Sequence, residues 1–339
     1  MPKTISYGLK EVARRAAVSI ATVSRVINAD PKVKGETALA VQKAIKELGY
    51  RPNRVAQRLR ATTARRRLVG LLIPDIRNPY YVDIIRGVEE FAYSQNTTVI
   101  IGNFSQDPSK EELYIDILRS ESVDGLIVAT TPVTEKKVEQ LIEDGIPVVC
   151  IDRGLKSLKA DVVKTDNELG AIMATAHLIS LGHQRIAHIA GDMEIPTTHE
   201  RIAGYKAALR KHKLKMDPAL IFSKKSDYES GVALTEKILA LKNRPTAIFT
   251  ANNLLTLGAL ETLHRHKVKI PKEVAIVGFD DVYWATSLNP ALTAVKQFGY
   301  EMGQQAAELL YKRLSSPEAP PASLIIKPEL MIRKSCGTR

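Results

Sequence analysis

Cysteine is nearly missing from this chain of 339 residues: it has two, Cys150 and Cys336. Such sparing use rules out a disulfide framework and fits a reducing compartment. Cys150 lies in Pro147-Val-Val-Cys-Ile-Asp152, the pattern of a buried strand, and reads as a small core residue. Long apolar runs are also missing, which excludes a helix that spans a membrane. The N-terminus lacks the apolar core of a secretory signal, so the protein is expected to stay in the cytoplasm. Its seven histidines show no ligand spacing; His264 and His266, two apart on a helix, point to different sides. Neither a metal nor another cofactor is expected. The glycines contain no G-x-G pair, no G-x-x-x-x-G-K-S/T and no G-x-S-x-G. The dinucleotide fingerprint, the P-loop and the nucleophile elbow are therefore absent, which weighs against an enzyme on an open α/β sheet.

What is present is an uneven distribution of charge. Residues 1–67 hold sixteen Lys and Arg against four acidic residues, a surplus of twelve. The remaining 272 residues carry 33 of each sign and are neutral. One basic module on a neutral body is the electrostatic footprint of a nucleic-acid-binding arm.

The basic module opens with two short helical patterns. Leu9, Val12, Ala13 and Ala16 repeat at helical spacing, and so do Val23, Val26 and Ile27. Between them Ala17-Val18-Ser19 leaves room only for a tight turn, with Ser19 placed to cap the second helix. Ala13 and Ala16 are small enough for two helices to cross closely. The pair reads as a helix-turn-helix whose second helix turns Ile20, Ala21, Ser24, Arg25 and Asn28 outward, a length and face suited to the major groove. A third helix is expected over Glu36–Leu48, with Thr37, Val41, Ala44, Ile45 and Leu48 inside and Gly49 ending it. Next, Pro52 breaks the helix and Asn53 can cap a new one. Arg54–Arg60 has helical spacing over only about two turns, marginal alone in water, so it needs a partner surface. Thr62–Arg67 closes the module as a basic joiner.

From Leu68 the texture changes. Short apolar runs at Leu68–Pro74, Thr98–Phe104, Gly125–Ala129, Pro147–Asp152, Arg185–Gly191, Ala219–Ser223, Ala247–Ala251 and Val274–Asp280 alternate with amphipathic helices such as Tyr80–Gln95 and Asn167–Gly182. That alternation predicts two doubly wound lobes of four core strands each. Asp161–Asp166 is expected to cross between the lobes. Strand Ala294–Gln297 and helix Gly299–Leu314 are expected to return to the first, and Leu324–Ile326 and Glu329–Ile332 to finish the chain with a further crossing. Ligands of such sheets bind at the carboxyl ends of strands. Those ends carry Asp75, Asn78, Pro79, Tyr80, Tyr81, Asp152 and Arg153 in one lobe, and Arg201, Asp227-Tyr228, Asn252-Asn253 and Asp280 in the other. Carboxylates and amides bind hydroxyls, Arg clamps an anion or hydroxyl, and an aromatic stacks on a ring. This is a chemistry for a sugar, a sugar phosphate or a nucleobase. Simpler roles compete: Asp75 and Asp166 can serve only as helix caps, and Tyr81 as packing.

The run Val18-Ser-Ile-Ala-Thr-Val-Ser-Arg-Val-Ile-Asn28, followed by Glu36-Thr37, Leu48-Gly-Tyr-Arg-Pro-Asn53 and Ala56-x-x-Leu59-Arg60, resembles the LacI/GalR family of bacterial repressors. The likeness runs nearly end to end, and Ile20-Ala21 is similar to the small apolar pair of the catabolite-control branch. It implies an α/β protein with a three-helix helix-turn-helix head and a hinge helix, then a two-lobed core like that of periplasmic binding proteins, built from doubly wound parallel sheets. The boundaries are 1–49 for the head, 50–67 for the hinge and linker, 68–164 with 295–324 for the first lobe, and 165–294 with 325–339 for the second. It also implies a homodimer on a pseudo-palindromic double-stranded DNA operator, hence a cytoplasmic, nucleoid-associated repressor. Arg25 is the candidate for a base contact, with Ile20 and Ala21 reading base edges. Ser19, Thr22, Ser24, Asn28, Thr37 and Asn53 would hold phosphates. Arg54 and Ala56 belong to the hinge that meets DNA, and Leu59 resembles the family's minor-groove wedge; without the resemblance it would read as a packing leucine. By position Tyr80, Tyr81, Asp152, Arg201, Tyr228, Asn252 and Asp280 resemble the family's effector contacts, for a sugar, sugar phosphate or purine. A protein corepressor, as in the catabolite-control branch, is the alternative means of control. A solute-binding protein without DNA function is the remote one, disfavoured by the basic head. The tail after Ile332 holds no heptads, so a dimer rather than a tetramer is expected. Three departures stand out: Ala17 where the family usually has Gly at the turn, Gly8 where it often has Thr or Ser as a cap, and Asn253 where it commonly has Asp. Glu11 can serve as capping partner in place of the residue lost at Gly8.

Overall fold

A computed structural model describes residues 9–27, 33–48, 67–157 and 159–338. The chain divides into two compact units, Met1–Arg66 and Arg67–Arg339.

The first unit holds α1 (Leu9–Arg15), α2 (Ile20–Ile27) and α3 (Gly35–Leu48). The apolar stripes read from sequence meet in one core of Val12, Ala13, Val23, Val41 and Ala44, flanked by Leu9, Ala16, Val18, Val26, Ile45 and Leu48. Ser19 caps α2: its Oγ accepts the Thr22 N–H at 3.1 Å. Arg15 on α1 pairs with Glu47 on α3. Ala17 takes φ 54°, a left-handed turn. That explains why glycine suits this position, since a Cβ there makes the conformation unfavourable by about 1–2 kcal/mol.

The second unit contains two six-stranded sheets. The first has β1 (Arg67–Ile73), β2 (Thr97–Asn103), β3 (Gly125–Val128), β4 (Val148–Ile151), β5 (Asp161–Thr165) and β11 (Ser323–Ile326), in the order β11-β5-β4-β3-β1-β2 and parallel throughout. The second has β6 (Ile186–Ala190), β7 (Ile221–Ser223), β8 (Ala247–Thr250), β9 (Ala275–Phe279), β10 (Thr293–Lys296) and β12 (Glu329–Met331), in the order β12-β10-β9-β8-β6-β7, with only β10 and β12 antiparallel. Central strands such as β3, β4, β8 and β9 are buried along their whole length, as parallel strands covered on both faces must be.

Two expectations are corrected. Asp161–Thr165 is not a connecting link but β5, inside the first sheet; the chain crosses at Asp166, which caps the next helix. The strand was hidden because it begins with a charge. Asp161 is buried and gripped by both arms of the Arg313 guanidinium, at 2.9 Å each, and by the Ala322 N–H. The strand at Ala294 does not return to the first lobe either. It pairs with β9 in the second sheet, and only the helix after it goes back. Each sheet thus has six strands rather than four.

The helices are α4 (Pro79–Ser94), α5 (Pro108–Ser120), α6 (Glu135–Glu143), α7 (Asn167–Ser180), α8 (Pro196–Lys211), α9 (Tyr228–Leu239), α10 (Asn253–Arg265) and α11 (Gly299–Ser315). α11 packs on α4 and over β3, β4 and β5, with Ile84, Val88, Met302, Ala306 and Leu310 in the shared core. The crossing is close because both helices are bare there. A Cβ on Gly87 would lie 2.1 Å from the Tyr300 carbonyl oxygen, and one on Gly303 2.2 Å from that of Ile84.

Candidate ligand cleft and nucleic-acid interface

The carboxyl ends of the strands in both sheets open on a cleft lined by residues of both lobes. Helix N-termini surround it, and most are capped by their own side chains. Asn78 Oδ1 accepts the Tyr80 N–H at the start of α4, and Asn252 Oδ1 accepts the Leu255 N–H at the start of α10. α8, like the helices that begin at Glu135 and Gly299, lacks a side-chain cap among the described residues; its cap residue is Ile195. Thr197 and Thr198 of its first turn line the cleft.

Each lobe contributes an aspartate from just beyond a central strand. Asp152 follows β4 and Asp280 follows β9, and both take left-handed backbone, φ 66° and 74°. Asp tolerates that conformation better than most residues. Asp152 accepts hydrogen bonds from the Tyr80 hydroxyl at 3.3 Å and the Tyr81 hydroxyl at 3.1 Å. Burial, then the adjacent carboxylate, pushes both phenols well above their ordinary range, so they remain donors. Asp280 accepts from Gln297 Nε2 and from the Asn253 backbone N–H at 3.1 Å. Burial raises the Asp280 carboxyl, opposed chiefly by Arg201.

Arg201 projects from the first turns of α8. Its Nε donates to Asn167 Oδ1 at 2.9 Å, a second nitrogen donates to the Ala251 carbonyl, and the guanidinium lies 3.9 Å from the centre of the Phe279 ring. Arg153 donates to the Ala129 carbonyl at 2.9 Å. Arg153 Nε and Gln297 Oε1 are buried and have no hydrogen-bond partner among the described residues. Across the cleft, Asn253 Nδ2 donates to Asn78 Oδ1 at 2.7 Å, a direct bond between lobes.

Of the seven expected effector residues, Tyr80, Tyr81, Asp152, Arg201, Asn252 and Asp280 line this one cleft. Tyr228 does not. It opens α9, where Asp227 caps the helix by accepting the Ser230 N–H, and Ser226 lines the cleft instead. Sequence reasoning passed over Thr131, Thr197, Thr198 and Gln297. The signal for Gln297 was its place just past a strand end, masked because that strand was assigned to the other lobe.

In the first unit, Ile20, Ala21 and Arg25 are exposed on α2, and Thr22, Ser24 and Thr37 are half-buried. Ser19 and Thr22 hydroxyls lie 2.8 Å apart at the head of α2. An exposed isoleucine on the face of a short helix rich in small polar residues fits a groove surface better than a solvated one. Asn28, Asn53, Arg54, Ala56, Leu59 and the departure at Gly8 lie outside the described residues.

Comparison with known proteins places these features in context. The family described as bacterial regulatory proteins, lacI family, matches residues 8–53, and the periplasmic binding protein-like domain matches residues 175–336. The HTH-type transcriptional repressor PurR of Histophilus somni (strain 2336) is 33% identical over 331 residues, covering 97% of this chain and 99% of the relative. Catabolite control protein A of Priestia megaterium is 36% identical over 306 residues, 90% of this chain and 92% of the relative. Among solved structures, the lac repressor dimer bound to operator and the anti-inducer ONPF is similar with a TM-score of 0.75 and 26% identity, over 98% of this chain and 99% of that one.

Proposed function

The chain belongs to the LacI family of bacterial regulatory proteins, a ligand-responsive DNA-binding regulator and not an enzyme, and from that premise we propose that it is a repressor binding a pseudo-palindromic operator as a homodimer. The observation that carries the reading is the Ser19-capped α2, which turns Ile20, Ala21 and Arg25 to solvent from a unit that concentrates the chain's basic surplus. Arg25 contacts a base in the major groove, Ile20 and Ala21 read apolar base edges, and Ser19, Thr22, Ser24, Asn28, Thr37 and Asn53 hold phosphates. Hinge residues Arg54, Ala56 and Leu59 enter the minor groove, with Leu59 as the wedge. The effector is a small molecule held by Tyr80, Tyr81, Asp152, Arg201, Asn252 and Asp280. Its binding changes the angle between lobes and thereby the spacing of paired hinges, and it acts only through its differential affinity for the two arrangements. Among the described residues no helix is long and apolar enough to cross a membrane, and we place the protein in the cytoplasm.

The test is fluorescence anisotropy with a pseudo-palindromic duplex of about 20 base pairs carrying a central C-G step. Binding should fall about 10³–10⁵-fold between low and moderate salt if roughly 6–10 phosphates are contacted. Arg25→Ala should weaken it by about 1–3 kcal/mol at one base pair of each half-site. Equal weak binding to specific and scrambled duplexes, unaffected by Arg25→Ala or Leu59→Ala, refutes this assignment.

A further inference from the structure

The lining of the cleft limits its occupant further than the family does. This inference rests on the reading of the cleft as the effector site. Charge comes first. Asp75 is neutralised by Arg77, which reaches both its carboxylate oxygens, the shortest contact being 2.8 Å. The other ionisable groups on the lining are Asp152 and Asp280 against Arg153 and Arg201, two acids and two bases, all buried. Among the described residues no lysine lines the cleft. Both guanidinium groups already hold neutral protein oxygens, Arg153 the Ala129 carbonyl and Arg201 Asn167 and the Ala251 carbonyl while lying on Phe279, with donors left over. A phosphate dianion would therefore be buried beside two carboxyl groups, on a lining that has no surplus of cations to balance it.

Ring chemistry comes next. The two aromatics on the lining, Tyr80 and Tyr81, come from the same lobe, sit 5.1 Å apart and are tilted by 60°. The second lobe faces the cleft with Ile195, Leu254, threonines, Ser226, asparagine and charged groups but no aromatic ring, and Arg201 covers its nearby Phe279. A flat base finds no pair of aromatic walls to stack between.

The hydrogen-bonding capacity that is left points to hydroxyls. A carboxylate offers about four lone-pair sites. Asp152 uses two, for Tyr80 and Tyr81, and Asp280 uses two, for Gln297 and Asn253. Each aspartate therefore keeps acceptor capacity for the ligand, one in each lobe. Among the described residues Gln297 Oε1 is a buried acceptor without a partner, and Arg153 Nε is a buried donor without one. The uncapped N-terminus of α8 offers backbone donors beside the Thr197 and Thr198 hydroxyls. Only groups that both donate and accept, repeated around a small frame, answer all of these at once.

We propose that the cleft is built for an uncharged polyhydroxylated ligand, a sugar without phosphate, held between the Asp152 and Asp280 carboxylates of the two lobes, and that it discriminates against sugar phosphates and purines. The opposed carboxylates accept from hydroxyls at the two ends of the sugar. The donors of Arg153 and the α8 terminus meet its oxygens.

The experiment is titration calorimetry of the full chain with D-ribose, D-glucose, D-galactose and D-fructose, with glucose 6-phosphate and ribose 5-phosphate, and with hypoxanthine and guanine. At least one neutral sugar should bind, its phosphate ester at least about tenfold more weakly, and the purines without measurable heat. Asp280→Asn and Asp152→Asn are near-isosteric. Each should weaken the sugar while narrowing the sugar-over-phosphate preference by about tenfold, because removing a carboxyl group shifts the charge of the lining towards the positive. A structural defect alone would weaken all ligands together. Tighter binding of a phosphate ester or purine than of every neutral sugar overturns the proposal, as does no binding of any of the four sugars at up to ~10 mM. Operator anisotropy on the same preparation separates the two claims. Specific DNA binding without a sugar response overturns this inference alone, whereas loss of specific DNA binding overturns the repressor reading whatever the sugars do.

Discussion

Asn253→Asp changes one atom and reverses one hydrogen bond between the lobes. Asn253 Nδ2 donates to Asn78 Oδ1 at 2.7 Å, and that same oxygen accepts the Tyr80 N–H at 2.9 Å as the cap of α4. The cap fixes which end of the Asn78 amide faces the partner, so Asn78 cannot turn its NH₂ towards residue 253 without uncapping the helix. A carboxylate at 253 would thus point an acceptor at an acceptor, in a buried site whose backbone N–H is already bound to the Asp280 carboxylate at 3.1 Å. Losing a buried hydrogen bond and stranding its acceptor costs about 1–3 kcal/mol, which is roughly a 5–150-fold shift in favour of separated lobes if the bond exists only when they are together. Asn253→Ala removes the donor without adding charge and should produce the smaller part of that shift. Pulsed electron resonance between nitroxides on Lys136→Cys and Lys237→Cys reads the inter-lobe distance. Both sites are exposed, and the native Cys150 and Cys336 are buried. The Asp variant should show a longer, broader distance distribution, narrowed again by ligand, with ligand affinity lowered by a similar factor. Unchanged distributions and affinities in both variants would refute the claim that this contact holds the lobes together.

Other consequences follow from buried groups and tight crossings. His188 is fully buried between the Phe249 and Tyr205 rings, its Nδ1 donates to the Phe249 carbonyl at 3.0 Å and its Nε2 has no partner among the described residues. Burial, with a further contribution from Arg201, pushes it down to about 4. The unfolded chain then takes up a proton near 6.5 that the native state refuses, so this stability is complete above about pH 6.5 and is lost progressively towards pH 4, by ~3 kcal/mol in all. Urea unfolding of His188→Phe across that range should lose this slope, and an unaltered slope would place the acid sensitivity elsewhere. Gly303→Ala should destabilise the second unit by about 1–3 kcal/mol by forcing α11 away from α4, seen as a lower melting temperature with α4 amides exchanging faster. Ala17→Gly should stabilise the head by about 0.5–1 kcal/mol by relieving the left-handed turn, measured by hydrogen exchange in α1 and α2; slower exchange in Ala17 protein than in the variant would contradict it.

Local patterns carried most of the architecture. Spacing of apolar residues placed α1 to α3 and their common core, because a helix of the head buries a face that repeats within its own few residues. The turn at Ala17 and the cap at Ser19 were equally legible, since both are contacts between near neighbours. Alternation of apolar runs with amphipathic helices announced doubly wound sheets, and the charge surplus confined to residues 1–67 announced the nucleic-acid arm. Nearly half of the cleft residues also followed from one local rule, that polar groups just beyond parallel strands face a ligand.

Tertiary structure decided the rest, where the deciding contact spans a long stretch of chain. Asp161 looked like part of a linker until Arg313, distant in sequence, neutralised it and let its strand be buried. Strand β10 has no local mark of which sheet it joins; its pairing with β9 and β12 settles that, and with it the position of Gln297 over Asp280. Tyr228 lies beside the expected position, yet the start of α9 leaves Ser226, not the tyrosine, on the cleft wall. The Asn78–Asn253 bond joins residues 175 positions apart, which no periodicity can relate. A short-range pattern reports what each segment must bury. Which buried charge is paired, and which amides meet across the cleft, depends on segments brought together only by folding.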